Sequence, residues 1–377
     1  MISWIKDKSS HLKAEILNTD WIYLFSVKPC AFLSIVLLIV LLLPSLAMAH
    51  VPLMAGGNEN ISSALHISDP GKSWAIYGIL KPEMVQYYSF DRELGDRIYL
   101  MLLRSTDSKD NDFQPNLVLL GPGVRSSGHL SKNVILPASL NGLGFLTVIG
   151  KRAANATYEP FGPSSYIEMA EINISASQSA RYYAAVFCNS TAGQAAVNGA
   201  GHYILAVGDR EEFSFPERIT APIRLISVYI WEGQSAGIVF LPYLIAEVIG
   251  ILVFWRGRRR TSFCLAGTLA GFLFLATSAS VFTEMVFSLS RAPFGPEVYI
   301  TLAIVVFHTL LGVAGIRLAR GEAGILQRAL LAVLGTVALL AGSGLILGPI
   351  LSIAASLLPS KRGSNLGNAH PKTEKEN

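Results

Sequence analysis

The C-terminal part of the chain carries four apolar runs, at about 235–255, 262–289, 298–318 and 329–358. Each reaches or exceeds the roughly twenty residues that a helix needs to cross a bilayer. A chain with four such runs cannot hide them in one soluble core. The composition agrees: of 377 residues 51% are hydrophobic and only 15% charged, with a mean hydropathy of +0.45, which is too apolar for an ordinary soluble globular protein. The expectation is a membrane domain over 225–358 built from four transmembrane helices, followed by a polar tail, 359–377.

Lysine and arginine orient the spans, because links rich in them stay on the cytoplasmic side. The string RGRRR, 256–260, directly follows the first run, and Arg317, Arg320 and Arg328 flank the link between the third and fourth. The short link between the second and third carries Arg291 beside Pro293, Pro296 and Glu297. Both basic links go inside, so whatever precedes residue 225 faces outside. Trp231 and Trp255 bracket the first run as interfacial anchors. One feature disagrees: after four crossings the tail lies outside, yet it bears Lys361, Arg362, Lys372 and Lys375. The last run, interrupted by Gly-Ser-Gly and Pro349, reads as a single tilted or kinked span, the alternative being a re-entrant hairpin that returns the tail to the cytoplasm. The formal charge of +4 sits largely at the ends of apolar segments. No basic groove with interleaved aromatics is visible, which excludes nucleic acid as a partner.

Residues 1–49 contain a further apolar stretch, 31–43, after Lys28, Pro29 and Cys30, and then Pro44 and LAMAH, in which Ala47 and Ala49 form a small-x-small signal before His50. This is a signal peptide, or else an uncleaved signal anchor. Between them lies 50–224, where short β-rich stretches alternate with Gly, Pro, Asn and Ser. Strands are expected at 74–80, 85–90, 97–103, 116–120, 144–149, 166–172, 181–187 and 202–207. The segments VQYYSF and GHYILAV alternate, whereas RIYLMLL and NLVLLG are nearly continuous apolar runs, as strands buried on both faces would be. The expected fold is an all-β sandwich of jelly-roll type. Of the three cysteines, Cys30 and Cys264 adjoin or lie in apolar runs, leaving Cys188 alone in the β-rich part. That rules out a disulfide within the domain, and no zinc spacing is present.

The succession YGILKPEMVQYYSFDRELGDRIYLML, FQPNLVLLGPG, ARYYAAVF and GHYILAVG resembles the bacterial pre-peptidase C-terminal domains and related jelly-roll modules of secreted proteins. The likeness spans about 70–208 and lies in the cadence of strands. It implies a module that binds or assists folding and has no chemistry of its own. The insertion at 124–137 and the membrane region in place of a protease depart from the family pattern.

Four N-glycosylation sequons, at Asn60, Asn155, Asn173 and Asn189, all fall in the β-rich part, as expected of an exported domain. Three ionisable residues fall within apolar runs: Glu247, Glu284 and His308. At such depth each must face the bundle interior, water or a partner, so they form a candidate intramembrane polar site for a proton or cation path. A single membrane histidine argues against a haem with paired axial histidines. GQSAG, 233–237, matches the G-x-S-x-G string but lies at a helix entry without partner segments, so a close-packing glycine pair is the better account. DSKDND, 107–112, lacks the glycine and terminal glutamate of an EF-hand and reads as a solvated loop. Gly267, Gly271, Gly342, Ser343, Gly344 and Gly348 form small-residue patterns that let helices approach within the bundle.

No catalytic constellation, cofactor motif or metal-ligand spacing emerges. The sequence reads as a non-enzymatic, multi-pass cell-membrane protein whose residues 50–224 lie in the envelope outside the cytoplasm. Its β-sandwich binds an envelope ligand or partner, and its bundle sits in the lipid bilayer as an anchor or docks a membrane subunit. The alternative is a transport or ion-coupled component using Glu247, Glu284 and His308.

Overall fold

The computed structural model of the chain describes residues 50–140, 142–188, 199–257 and 260–360. The segment 1–49 read as a signal peptide or anchor, the sequon at Asn189, the arginines 258 and 259 and the basic tail beyond residue 360 lie outside the described residues.

Eleven strands form two sheets among the described residues. The first has the order β1–β3–β11–β5–β9–β8, the second β2–β4–β10–β6–β7. Their ranges are β1 Val51–Met54, β2 Leu65–Ile67, β3 Trp74–Leu80, β4 Val85–Arg92, β5 Arg97–Ser105, β6 Asn116–Gly121, β7 Gly144–Val148, β8 Thr157–Glu159, β9 Ser164–Ser175, β10 Ala180–Phe187 and β11 Gly201–Val207. Neighbours pair antiparallel except at two edges, where β1 runs parallel to β3 and β2 parallel to β4. One apolar cluster is shared by both sheets: Ile76, Leu100, Leu102 and Leu205 of the first meet Tyr88, Phe90, Leu117, Leu119 and Ala184 of the second.

The continuous apolar strands are explained by what covers the other faces. Val118 and Leu120 of β6, with Val85, Tyr87, Ala185 and Phe187, pack under Val134 and its neighbours from the long β6–β7 connection. Every residue of β6 is buried. On the first sheet Ala75, Tyr77, Leu103, Ile204 and Ala206 pack against Val228 and Trp231 of a helix. A strand roofed on both sides has no polar positions to alternate with.

That helix, α1, Phe215–Trp231, begins inside the segment read as the β domain. Ser214 and Glu217 cap it: the Ser214 backbone N–H donates to Glu217 Oε2 at 2.7 Å, and the serine hydroxyl meets the same oxygen. Three helices long and apolar enough to cross a membrane follow: α2 Ala236–Arg256, α3 Ser262–Leu289 and α4 Val298–Arg320. They mark the chain as a membrane protein. Helix α3 is the central one, with 61% of its most apolar stretch buried, against 17% for α2, whose Leu244, Ile245, Val248 and Ile249 point outward. Helices α3 and α4 cross closely because glycine faces glycine. A Cβ on Gly271 would lie 2.8 Å from the Gly312 carbonyl oxygen, and one on Gly315 would lie 3.2 Å from the Gly271 Cα.

The fourth apolar run departs from expectation: 329–358 is not a single span. It is covered by two shorter helices, α5 Ile325–Leu340 and α6 Leu347–Leu357, with lengths of roughly 24 and 16 Å at 1.5 Å per residue. The break has a local cause, since Gly342, Gly344 and Leu345 adopt φ of 69°, 71° and 56°, a left-handed region that a helix cannot pass through. The two helices then fold back on each other. The Ser352 hydroxyl donates to the Leu331 carbonyl at 2.8 Å, Arg328 Nη1 to the Ser356 carbonyl at 2.7 Å, and a Cβ on Gly335 would lie 2.9 Å from the Pro349 carbonyl oxygen. The pair is antiparallel, so Leu358 returns to the side from which α5 set out.

Candidate functional site

Two polar places in the molecule stand out, and the three ionisable residues singled out in the sequence are divided between them and a third position. Glu284, 1% exposed, accepts a short hydrogen bond from Gln234 Nε2. His308, 4% exposed, lies near the middle of α4, and its Nδ1 has no hydrogen-bond partner. Glu247 is half-buried on α2, with one carboxyl oxygen lacking a partner. No hydrogen bond or ion pair joins any two of them among the described residues.

The first place is the junction between the sheets and the helices. Trp231 closes α1 against the first sheet: its indole N–H donates to the Gly78 carbonyl at 3.1 Å, with Tyr77 and His202 edge-on at 5.0 and 5.4 Å. Gly78 itself makes room for Tyr203 of the core between the sheets, since a Cβ there would stand 2.4 Å from the Tyr203 ring. On the other flank the hydroxyls of Tyr158 and Thr301 meet at 2.7 Å, and Thr301 also donates to the Pro160 carbonyl at 2.8 Å. Lys72 pairs with Glu217 of α1, and Arg224 Nη1 donates to the Pro52 carbonyl at 3.2 Å. The strands are thus bolted to α1 and α4 by groups withdrawn from water.

Glu232 sits inside this junction, 3% exposed, beside Ser164 and Ser165. Neither of its carboxyl oxygens makes a well-formed hydrogen bond. Burial, and then the neighbouring Glu284 charge, push its pKa well above the ordinary carboxylate range, while Arg291 pulls the other way. Nearby Glu159 is also raised by burial, although the Phe161 N–H and the Tyr166 hydroxyl each donate to it at 3.1 Å. Sequence reading missed Glu232 because it precedes the first apolar run and looks like a solvated linker charge. Only the fold shows that the linker is roofed by β9.

The second place is a cavity of about 100 Å³ between α1 and the helices behind it. Leu225, Ile226, Val239, Val281 and Ile304 supply apolar wall, and Tyr243, Thr277, Ser280 and His308 supply polar groups. Phe161, Phe213 and Arg218 also line it, as do Leu340 at the end of α5 and Ala341 and Gly342 of the turn that follows. The turn itself is held by Thr277, whose hydroxyl accepts the Gly344 backbone N–H at 2.7 Å.

The remaining sequence candidates find structural roles. Ser235 of GQSAG is the N-cap of α2, accepting the Ile238 N–H at 3.3 Å, and Gly233 has φ of 95° in a helix-to-helix turn. No strand precedes it, so the nucleophile-elbow context is absent. In DSKDND, Asp107 accepts the Lys109 N–H at 3.1 Å, while Asp110 accepts the His202 N–H at 3.2 Å and faces its Nδ1 at 3.0 Å. The two carboxylates serve different partners, and no group of three or more metal-ligating side chains occurs among the described residues. Gly267, Gly271, Gly344 and Gly348 pack within the bundle. Asn60, Asn155 and Asn173 are exposed. Cys188 and Cys264 are buried, and the Cys188 thiol donates to the Gln114 carbonyl at 3.4 Å.

No protein-family model matches the chain, and no curated protein does. Among solved structures it is similar to the pre-peptidase C-terminal domain of a collagenase from Bacillus anthracis. The identity is 19%, the match covers 38% of this chain and 91% of that one, and the TM-score is 0.20. At this level of similarity the match says nothing of what the chain binds or does.

Proposed function

We propose that the chain is a non-enzymatic component of a cell envelope, in which a β-sandwich of jelly-roll type is exported and displayed on a membrane-embedded helical anchor. The observation that carries this reading is the junction. Tyr158–Thr301 at 2.7 Å and Trp231–Gly78 at 3.1 Å fix the sheets on the helices instead of leaving them on a tether. A fixed module presents the same surface at the same height above the bilayer, which suits recognition of an envelope ligand or docking of a membrane subunit. The arginine-rich links at 256–260 and 317–328 support placement of the sheets on the opposite, extracytoplasmic side, and the exposed sequons support export.

The test is photo-crosslinking in native membranes, with a photoreactive residue at Ile79 and another at Ile135, both exposed, on the full-length chain. A discrete protein or glycan adduct is the expected result. Adducts with phospholipid alone at both positions would leave the helices as the business end and overturn the reading.

A further inference from the structure

The cavity beneath α1 has one feature that an apolar filler does not satisfy. His308 is nine-tenths buried, lines the cavity, and has an Nδ1 without any partner in the protein. It stands about 15 Å along α4 from Val298, near the middle of the span. Tyr243 of α2 and Thr277 and Ser280 of α3 line the same space. An acyl chain in it would leave the imidazole unsatisfied in hydrocarbon, which buried polar groups avoid. Water does satisfy it. On this measure of volume one water needs roughly 10–15 Å³ and two to four polar neighbours, so a cavity of about 100 Å³ has room for several, and the four polar side chains supply the neighbours.

We propose that this cavity is a hydrated dead end, open toward the side that carries the sheets, through which the His308 imidazole exchanges its ring proton with bulk water. It is the entrance half of a proton path, and it goes beyond the display role proposed above. The charged and titratable groups facing it are few. Helix α1 contributes Arg218 and Tyr229, and α2 contributes Tyr243. From α3 come only the two hydroxyls, while the α5–α6 turn and the Phe161 loop present none. Glu247 does not line the cavity, so the path does not run through it on this side.

The test uses the full-length chain with Cys30→Ser, Cys188→Ser and Cys264→Ala, into which Ser280→Cys is placed. A charged, membrane-impermeant methanethiosulfonate is added outside intact cells. Ser280→Cys should react, Ala270→Cys on the same helix, fully buried away from the cavity, should not, and Leu225→Trp should slow the reaction at least tenfold. Water-edited solid-state NMR on the parent chain provides a reading without substitution in the cavity. A water-to-imidazole transfer signal is expected, assigned to His308 by its absence in His308→Gln. A Ser280→Cys that stays unreactive in folded protein on intact cells and also after the cells are opened, or no water transfer to the His308 ring, means that the cavity is dry or filled by lipid, and either result overturns the proposal, whereas reaction only after opening keeps the hydrated cavity and reverses the orientation proposed above.

Discussion

Glu232 is where a single residue governs most. A carboxyl whose folded pKa is raised prefers to be neutral in the native state, so its share of stability is complete below the ordinary glutamate value of 4.5 and is lost as the pH rises through the raised value. Purified protein in detergent should therefore melt at progressively lower temperature as the pH climbs from about that value. Glu232→Gln should flatten the slope, the remainder belonging to Glu159, which is raised for the same reason; equal slopes in the two proteins would remove Glu232 as the source. The Tyr158–Thr301 bond gives a second, smaller number. Tyr158→Phe and Thr301→Val should each cost about 1 kcal/mol, and a double-mutant cycle by thermal unfolding should return a coupling of roughly 0.5–1.5 kcal/mol. None of this was legible in the sequence. Glu232 looks solvated, and the partners in Tyr158–Thr301 are 143 residues apart. Glu284 and His308, by contrast, were legible, because an ionisable group inside an apolar run is conspicuous wherever it ends up pointing.

Among the elements, length and periodicity decided what could be read. Strands β3, β4, β5, β6, β7, β9, β10 and β11 fall where alternation or apolar runs bounded by turns placed them. Strands β1, β2 and β8 have four, three and three residues, too few to show a period, and they lie at sheet edges where a partner strand defines them. Helix α1 hid behind its charged start, since DREEF, 209–213, reads as a turn and the capping pair Ser214–Glu217 follows directly behind it. The last apolar run misled in another way. Hydropathy averaged over thirty residues is blind to a reversal at Gly342–Leu345, which brings the end of α6 back to the side where α5 began. The expectation is concrete: Ser360→Cys should react with a membrane-impermeant thiol reagent only after cells are opened, as Gly321→Cys should. Labelling of Ser360→Cys on intact cells would restore a fourth crossing. Thr277→Val, which takes away the partner of the Gly344 N–H within the bundle, should cost about 1–3 kcal/mol, read as a lower melting temperature in detergent.

At the scale of the whole molecule, the two sheets and the helices behave as one body, and the sequence conveyed both halves without conveying their fastening. Apolar runs and arginines are local signals, whereas a buried junction exists only once distant segments meet. Intact-cell proteolysis should cut exposed loops of the β-rich part but leave 236–320 uncut, and a pattern with the halves exchanged would reverse the orientation. Strand β11 sits between β3 and β5 in the first sheet, although it is the last of the eleven to be synthesised. Until residue 207 has emerged, β1 and β3 on one flank and β5, β9 and β8 on the other have no strand of that sheet to bridge them. Only seven residues separate β11 from the start of α1. The β-rich part therefore cannot close before the chain has reached the helices that follow it, and a chain halted at residue 200 should stay protease-sensitive throughout while one halted at 234 becomes resistant. Completion of the sheets and emergence of the helices are tied together, timed by the position of one strand.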